Sequence, residues 1–552
     1  MGKMLLDGEN SKLANIAHAS KRGGRALLLF AAFTLYALIA AIFGILLPPP
    51  TGLVFLAPFL LLILVFAPEL PAVPRKITWG ILLGAIGLMP AWPVYLHIKL
   101  GPLPIITPTR LMFYALIAIW LYEMACVRHR RWQFYAAVKR LWFLFALIAG
   151  LFFLKLLSIP LAEGSAIAAK ETFRQSIIWL LPFFAVMTYI RTRKQADRII
   201  TILLWSASLV ALIALGEFFT RHLMAEIFAP LMSDVEWLRI VLEEKSRDGT
   251  FRTQSVHTHP LSLGEQLAMM IPLAMYKVYR PGHGKMRPAY IALLAILLLA
   301  ALTANSRGAL IGGVLAFSAT GALMTWFWLK RPQSLPYRPL VGMMAAGLIL
   351  LSPFILAAGY RLTVGEEGSK AARSSQSRIE QIEYAWPKVL ERPVLGYGTG
   401  RSARILGYYG ETLTIDNYYI NLWLELGFPG PIIFLGSILW LGGLGLRWGT
   451  KRPDDPYAGL YLALVGVAVT FALTRSILSI TTNIELVMII FATIIGSAGT
   501  IKRKTKHATS MKTENTATIE PPGSAKKTSA LSDHLDGLRS AGAPWHQKPA
   551  SP

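Results

Sequence analysis

The 552-residue chain holds a single cysteine, Cys126, so no disulfide can form within it and a disulfide-stapled ectodomain is excluded. Charge is scarce as well. Only 15% of residues are charged against 54% hydrophobic, and the mean hydropathy is +0.50. Ordinary soluble domains lie outside that range, and the composition is that of an integral membrane protein. The apolar stretches show no barrel-like alternation, which leaves helices as the spanning form, because lipid cannot satisfy unpaired backbone groups. No internal repeat is evident, which weighs against carriers built from symmetric halves. The first apolar run lacks a small-residue cleavage site and reads as a retained helix.

What is present is a series of apolar stretches of about 18 residues or more, each able to cross a hydrocarbon core of roughly 30 Å. They fall at about 26 to 47, 52 to 71, 77 to 94, 110 to 127, 140 to 159, 175 to 190 and 199 to 219. A second set follows at about 261 to 277, 288 to 305, 308 to 329, 339 to 359, 419 to 446, 457 to 474 and 484 to 500. The expected fold is therefore all-α and polytopic, with about fourteen transmembrane helices and both termini on one side. Lys and Arg number 55 against 30 Asp and Glu, a net charge of +25. That excess sits in short segments beside the apolar runs, such as RHRRWQFYAAVKR (128 to 140) and RTRKQADR (191 to 198). The positive-inside rule explains such clusters without nucleic acid, and it puts both termini in the cytoplasm.

The domain organisation follows. A basic N-terminus (1–25) precedes the first helices (26–219), a long outer loop (220–260), more helices (261–359), a large periplasmic loop (360–418) before the third-last span, the last helices (419–500) and a polar tail (501–552). The tail is rich in Ser, Thr, Pro and Lys and is expected to be disordered in the cytoplasm. Its first basic cluster would anchor the last helix to anionic membrane lipids or dock a partner.

Several polar residues stand where a partner would be needed. Arg307, in LTANSRGALIGG, lies between two apolar runs with almost no loop, where an unpaired arginine costs several kcal/mol. Arg247 and Arg252 close the first long loop on the same outer face. Converging guanidiniums suit a diphosphate, because the planar fork donates paired hydrogen bonds and stays charged. His257 and His259 form an HxH pair without an evident third ligand, so no metal or other cofactor is expected. His259, beside Pro260, reads as a helix-start residue or a substrate hydrogen-bond donor.

The second loop contains a helical pattern with capping-box spacing at Ser377 and Glu380, then GYGTG (396 to 400), whose glycines serve tight turns or close approach. In TIDNYYINLWLELGFPG, Asp416 or Asn417 can cap the following helix. Glu425, inside that span, is a functional residue or part of a buried pair. Tyr418 and Tyr419 either stack on sugar rings or belong to an interfacial belt. Arg378 and Arg401 either bind anionic sugars or stabilise the loop.

Three elements in order resemble the O-antigen ligase and polymerase family of bacterial glycan-assembly membrane proteins. They are GTFRTQSVHTHPLSLGEQLA, SRGA (306 to 309) and the loop pattern ending ERPVLGYGTG followed by DNYYINLWLELGFPG. The resemblance implies a GT-C-like architecture and a metal-independent, inverting glycosyltransferase in the inner membrane. Its donor and acceptor would carry undecaprenyl diphosphate, with Arg307 and Arg247 or Arg252 facing the phosphates. Chain-length regulators and flippases would be partners. The ligase branch carries a histidine shortly before the apolar helix, whereas this loop has none and places Asp416 there as candidate base or acceptor-orienting group. The resemblance therefore points to polymerisation of lipid-linked repeat units, with ligation to lipid A core as the alternative. A lipid-linked oligosaccharide flippase or exporter is the rival of another class.

Overall fold

The computed structural model describes residues 68–98, 105–232, 235–242, 250–280, 284–329, 370–407, 415–451, 455–479 and 481–498. The expected spans at 26 to 47 and 339 to 359, nearly all of 52 to 71, the tail and Arg247 lie outside them. Within the described residues the fold is helical, with one isolated bridge between Ile98 and Ile106.

Helix α1 is Arg75–Ala91, α2 Pro108–Cys126, α3 Arg128–Arg140, α4 Trp142–Ser158, α5 Ser165–Gln175 and α6 Leu181–Tyr189, with a π-helical turn Ser176–Leu180 between the last two. Then come α7 Arg193–Thr220, α8 Met224–Phe228, α9 Val235–Leu242, α10 Pro260–Tyr279, α11 Arg287–Thr303 and α12 Arg307–Leu329. The chain continues with α13 Lys370–Glu391, α14 Ser402–Ile405, α15 Tyr418–Leu426, α16 Pro429–Thr450, α17 Ala458–Arg475 and α18 Ile484–Ser497. Among the described residues six helices are long and apolar enough to cross a membrane, or up to seven if α3 and α4, bent by 93°, form one span. The composition and these helices make the chain a multi-pass membrane protein.

Three local outcomes refine the sequence reading. The stretch 419 to 446 is two helices, because Gly427 at φ 68° stops α15 and Pro429 begins α16. Helix α13 begins at Lys370, before the Ser377 and Glu380 pair, and continues through Pro387. In the stretch 175 to 190, the polar helix α5 and a π-turn lead into a short apolar α6.

Helix α10 is the axis of the bundle. From Ser262 to Lys277 every residue is buried, and α7, α11, α12 and α17 all pack on it. A helix buried on every side needs its polar groups matched. At one end Lys277 and Tyr276 meet Asp197 of α7, which Arg280 also reaches, and Arg193 pairs with Asp455 ahead of α17. At the other end Glu265 meets Arg475 of α17, and Glu217 of α7 holds the segment that leads into α10. Arg252, His259, Arg307 and the start of α15 lie toward this second end.

Candidate functional site

The segment before α10 is pinned from three sides. Glu217 accepts the backbone N–H groups of Gln254 at 2.9 Å, Ser255 at 2.8 Å and Met224 at 2.8 Å. Ser255 takes a positive φ of 51° to make that turn. The Thr253 N–H donates to the Thr303 carbonyl at 3.3 Å, and the two hydroxyls lie 2.9 Å apart. Arg252 then donates from Nε to the carbonyl of Ala304 at 3.2 Å. This contact carries Arg252 to the turn between α11 and α12, three residues before Arg307.

Arg307 is the first residue of α12, and the Ser306 hydroxyl accepts the Ala309 N–H at 3.3 Å. Small residues let this helix start sit deep. A Cβ on Gly264 would stand 2.7 Å from that of Ala309, and one on Gly308 only 2.4 Å from Ile477 Cδ1. The SRGA motif is thus wedged between the start of α10 and the end of α17, with Arg307 partly buried at its rim.

The second half of the site is built on α15. Asn417 is the cap, its Oδ1 accepting the N–H of Tyr419 at 2.9 Å and of Ile420 at 3.4 Å. That leaves the Asp416 carboxylate for other work. It lies 3.8 Å from Arg378 of α13, while the Asp416 N–H donates to the buried Gln381 at 3.0 Å. Tyr419 donates its hydroxyl to the Ala472 carbonyl at 2.8 Å, and the Tyr418 ring centre lies 5.8 Å from the Arg475 guanidinium. Since Ile477 touches Gly308, the end of α17 contacts both sequence-distant halves, the start of α12 and the start of α15.

Glu425 and Arg401 belong to a neighbouring cluster. Glu425 accepts the Gly400 N–H at 2.7 Å and faces Lys155 of α4 at 4.0 Å. Tyr397 and Gly398 donate their N–H groups to the carbonyls of Leu424 and Glu425, so the GYGTG run closes the end of α15. Its glycines serve approach to the chain itself: a Cβ on Gly396, at φ 57°, would lie 2.5 Å from the Leu424 oxygen. Arg401 is buried with its guanidinium carbon 3.5 Å from where a Gly164 Cβ would be. It stabilises the docking of this loop on residues 159–164, as does Arg392, which donates to the Leu161 carbonyl at 2.9 Å.

The two histidines have structural partners. His259 caps α10, its Nδ1 accepting the Leu261 N–H at 3.1 Å. His257 is buried with Nε2 3.0 Å from Gln266 Oε1, and burial pushes its pKa down to about 4. Among the described residues no three His, Cys, Asp or Glu side chains gather as a metal site.

The sequence reading missed Arg475 and Glu265, both fully buried. Arg475 Nε donates to Glu265 at 2.9 Å, and Thr474 at 2.7 Å and Asn483 at 2.9 Å complete the carboxylate's shell. It also missed Lys155. The signal was available, since each is an ionisable residue within or at the end of an apolar run, the criterion that selected Glu425.

Comparison with known families places this assembly. Residues 292–435 match the family described as O-antigen ligase. The match runs from α11 into α16 and takes in Arg307, Arg378, Arg401, Asp416 to Tyr419 and Glu425. It leaves outside it Arg252, His259 and α17, whose end joins the two halves. No curated protein matches the chain. As an O-antigen ligase-type domain, this segment implies lipid-linked glycans as the class of substrate and a membrane glycosyltransferase type of activity.

Proposed function

We propose that the protein polymerises undecaprenyl-diphosphate-linked repeat units into a surface polysaccharide, on the periplasmic face of the bacterial inner membrane. The observation that carries this reading is the Arg252 contact with the Ala304 carbonyl, which sets a second guanidinium beside the turn that bears Arg307. A diphosphate leaving group needs cations held in place before charge develops, and a fixed pair supplies that without a metal. The acceptor hydroxyl attacks the anomeric carbon, the bond to the diphosphate oxygen breaks with its electron pair, and the hydroxyl proton passes to a base. Attack from the opposite face inverts the centre. Asp416 is the candidate base or orienting group, since Asn417 does the capping and Arg378 steadies the carboxylate. Arg247 is a further candidate for the diphosphate. Tyr418, Tyr419, Asn417, Glu425 and His259 would shape the acceptor or sugar-binding side.

Polymerisation is favoured over ligation to lipid A core because residues 360 to 418 hold no histidine and Asp416 stands in its place. Chain-length regulators and flippases would be partners of this reaction. The test is incubation of purified full-length protein with a lipid-diphosphate-linked repeat unit, with and without chelator. A chelator-insensitive ladder of repeat multiples is expected. A single transfer to added lipid A core would make the protein a ligase, and no turnover of a demonstrably competent donor would leave the carrier class.

A further inference from the structure

At the end of the bundle away from Arg307, α1 and α7 start side by side and run parallel. Ser206 of α7 donates to the Gly87 carbonyl of α1 at 2.7 Å, and Ile202 lies against Gly87, holding the pair together. Their first turns splay around a cavity of about 390 Å³ lined by Arg75, Lys76, Trp79, Lys194, Gln195 and Arg198. Four of those six residues are cations and none is acidic. Among the described residues none of the four has an ion-pair partner, whereas the nearby Arg193, Lys277 and Arg280 each have an aspartate. The 28 residues of α7 put this cavity roughly 40 Å from the candidate site.

A second feature runs away from the cavity along the helix surface. After Lys194 and Arg198, the next exposed large side chains on α7 are Trp205, Leu209 and Leu212, spaced by seven, four and three residues and so on one face. On α1, Ile77 is exposed beside Lys76. A cationic pocket with an indole in its wall, continued by an exposed apolar stripe, has the two-part chemistry of a phospholipid: an anionic headgroup at the interface and acyl chains along the helix. A soluble anion would use the pocket and leave the stripe without a role. Two adjacent helix N-termini add favourable potential for a phosphodiester.

We infer that this cleft binds the headgroup of an anionic phospholipid, with the acyl chains lying along the outer face of α7. The site is separate from the glycan chemistry, and its occupancy does not depend on the transferase reading.

The test uses full-length protein in vesicles of phosphatidylcholine mixed with phosphatidylglycerol, followed by mild detergent release and native mass spectrometry of retained lipid. Wild type is expected to keep phosphatidylglycerol selectively. The combined variant Arg75→Gln, Lys76→Gln, Lys194→Gln and Arg198→Gln should lose at least tenfold in that retention, because it removes every cation that would touch the bound headgroup. A control removing four exposed cations that do not line the cavity, Arg128→Gln, Lys139→Gln, Arg447→Gln and Lys451→Gln, should leave selective retention close to that of wild type. If the combined variant fails to fold, the pair Lys76→Gln and Lys194→Gln, both exposed, serves in its place. Equal retention by variant and wild type, or an equal loss in the control, overturns the site. Complete displacement by inorganic phosphate would mean a simple anion pocket, and a change of oligomeric state with lipid retention unaltered would mean a protein contact; either outcome also overturns it.

Discussion

Arg307 and Asp416 act at opposite poles of the proposed reaction, and their substitutions give different signatures. Arg307→Ala removes a fixed cation at the leaving group and should abolish polymer formation while protein levels hold, since its side chain lies at the rim of the packed SRGA wedge. Polymer of normal yield and length from that variant would end the diphosphate assignment. Asp416→Asn keeps shape and hydrogen bonding but cannot take a proton, and Asn417 carries the helix cap in either case. Turnover should fall by about 10²-fold or more with thermal stability unchanged, as measured on a purified lipid-linked substrate. Unchanged turnover would reduce Asp416 to a loop residue held near Arg378.

At the scale of elements, the joint between α15 and α16 and the end of α17 decide whether the site assembles. Gly427 has φ 68°, and a Cβ there would stand 2.2 Å from the Pro393 carbonyl, so Gly427→Ala must displace the loop that closes α15. A loss of about 2 kcal/mol or more is expected, read as a lower thermal midpoint. Arg475 and Glu265 are a fully buried pair. Arg475→Leu leaves the carboxylate alone in the core, which should cost about 3–5 kcal/mol and loosen Tyr418, whereas Arg475→Leu combined with Glu265→Leu should recover part of the stability. Thermal unfolding of the two variants in the same detergent distinguishes a structural pair from an idle one. The helices themselves were legible in hydropathy. The break at Gly427 was signalled by glycine and proline, but its purpose was not, because the neighbour that demands a bare backbone is Pro393, 34 residues upstream.

For the whole molecule, the axis helix α10 ties one end of the bundle to the other, and its entry segment carries a pH dependence. His257 is buried neutral, with its pKa lowered from 6.5 to about 4. The unfolded chain therefore binds a proton that the folded chain refuses between those values, and stability is full above about pH 6.5 and falls as the pH drops toward 4. The contribution is on the order of 3 kcal/mol. The thermal midpoint of the purified protein should decline across that window, and His257→Gln should flatten the decline. A decline of equal steepness in the variant would assign the acid sensitivity to other groups.

Membrane residence, the helical class and the likeness of residues 292–435 to the O-antigen ligase family were legible in one-dimensional features: long apolar runs and short motifs in order. Those features are local, and each can be read without knowing what lies opposite. The roles of single side chains were not local. Arg307 was singled out by its cost in lipid, yet that Arg252 comes to the adjacent turn rests on a hydrogen bond to a residue 52 positions away in sequence. Asp416 and Asn417 were equal candidates for the cap until the backbone geometry chose Asn417. Glu265 and Arg475, 210 positions apart and not singled out in the sequence, are one buried pair. Hydropathy determines which segments enter the membrane, because transfer from water to lipid acts on each segment alone. Only tertiary packing decides which polar groups meet, because burial is tolerable only where distant elements bring complementary charges and carbonyls together.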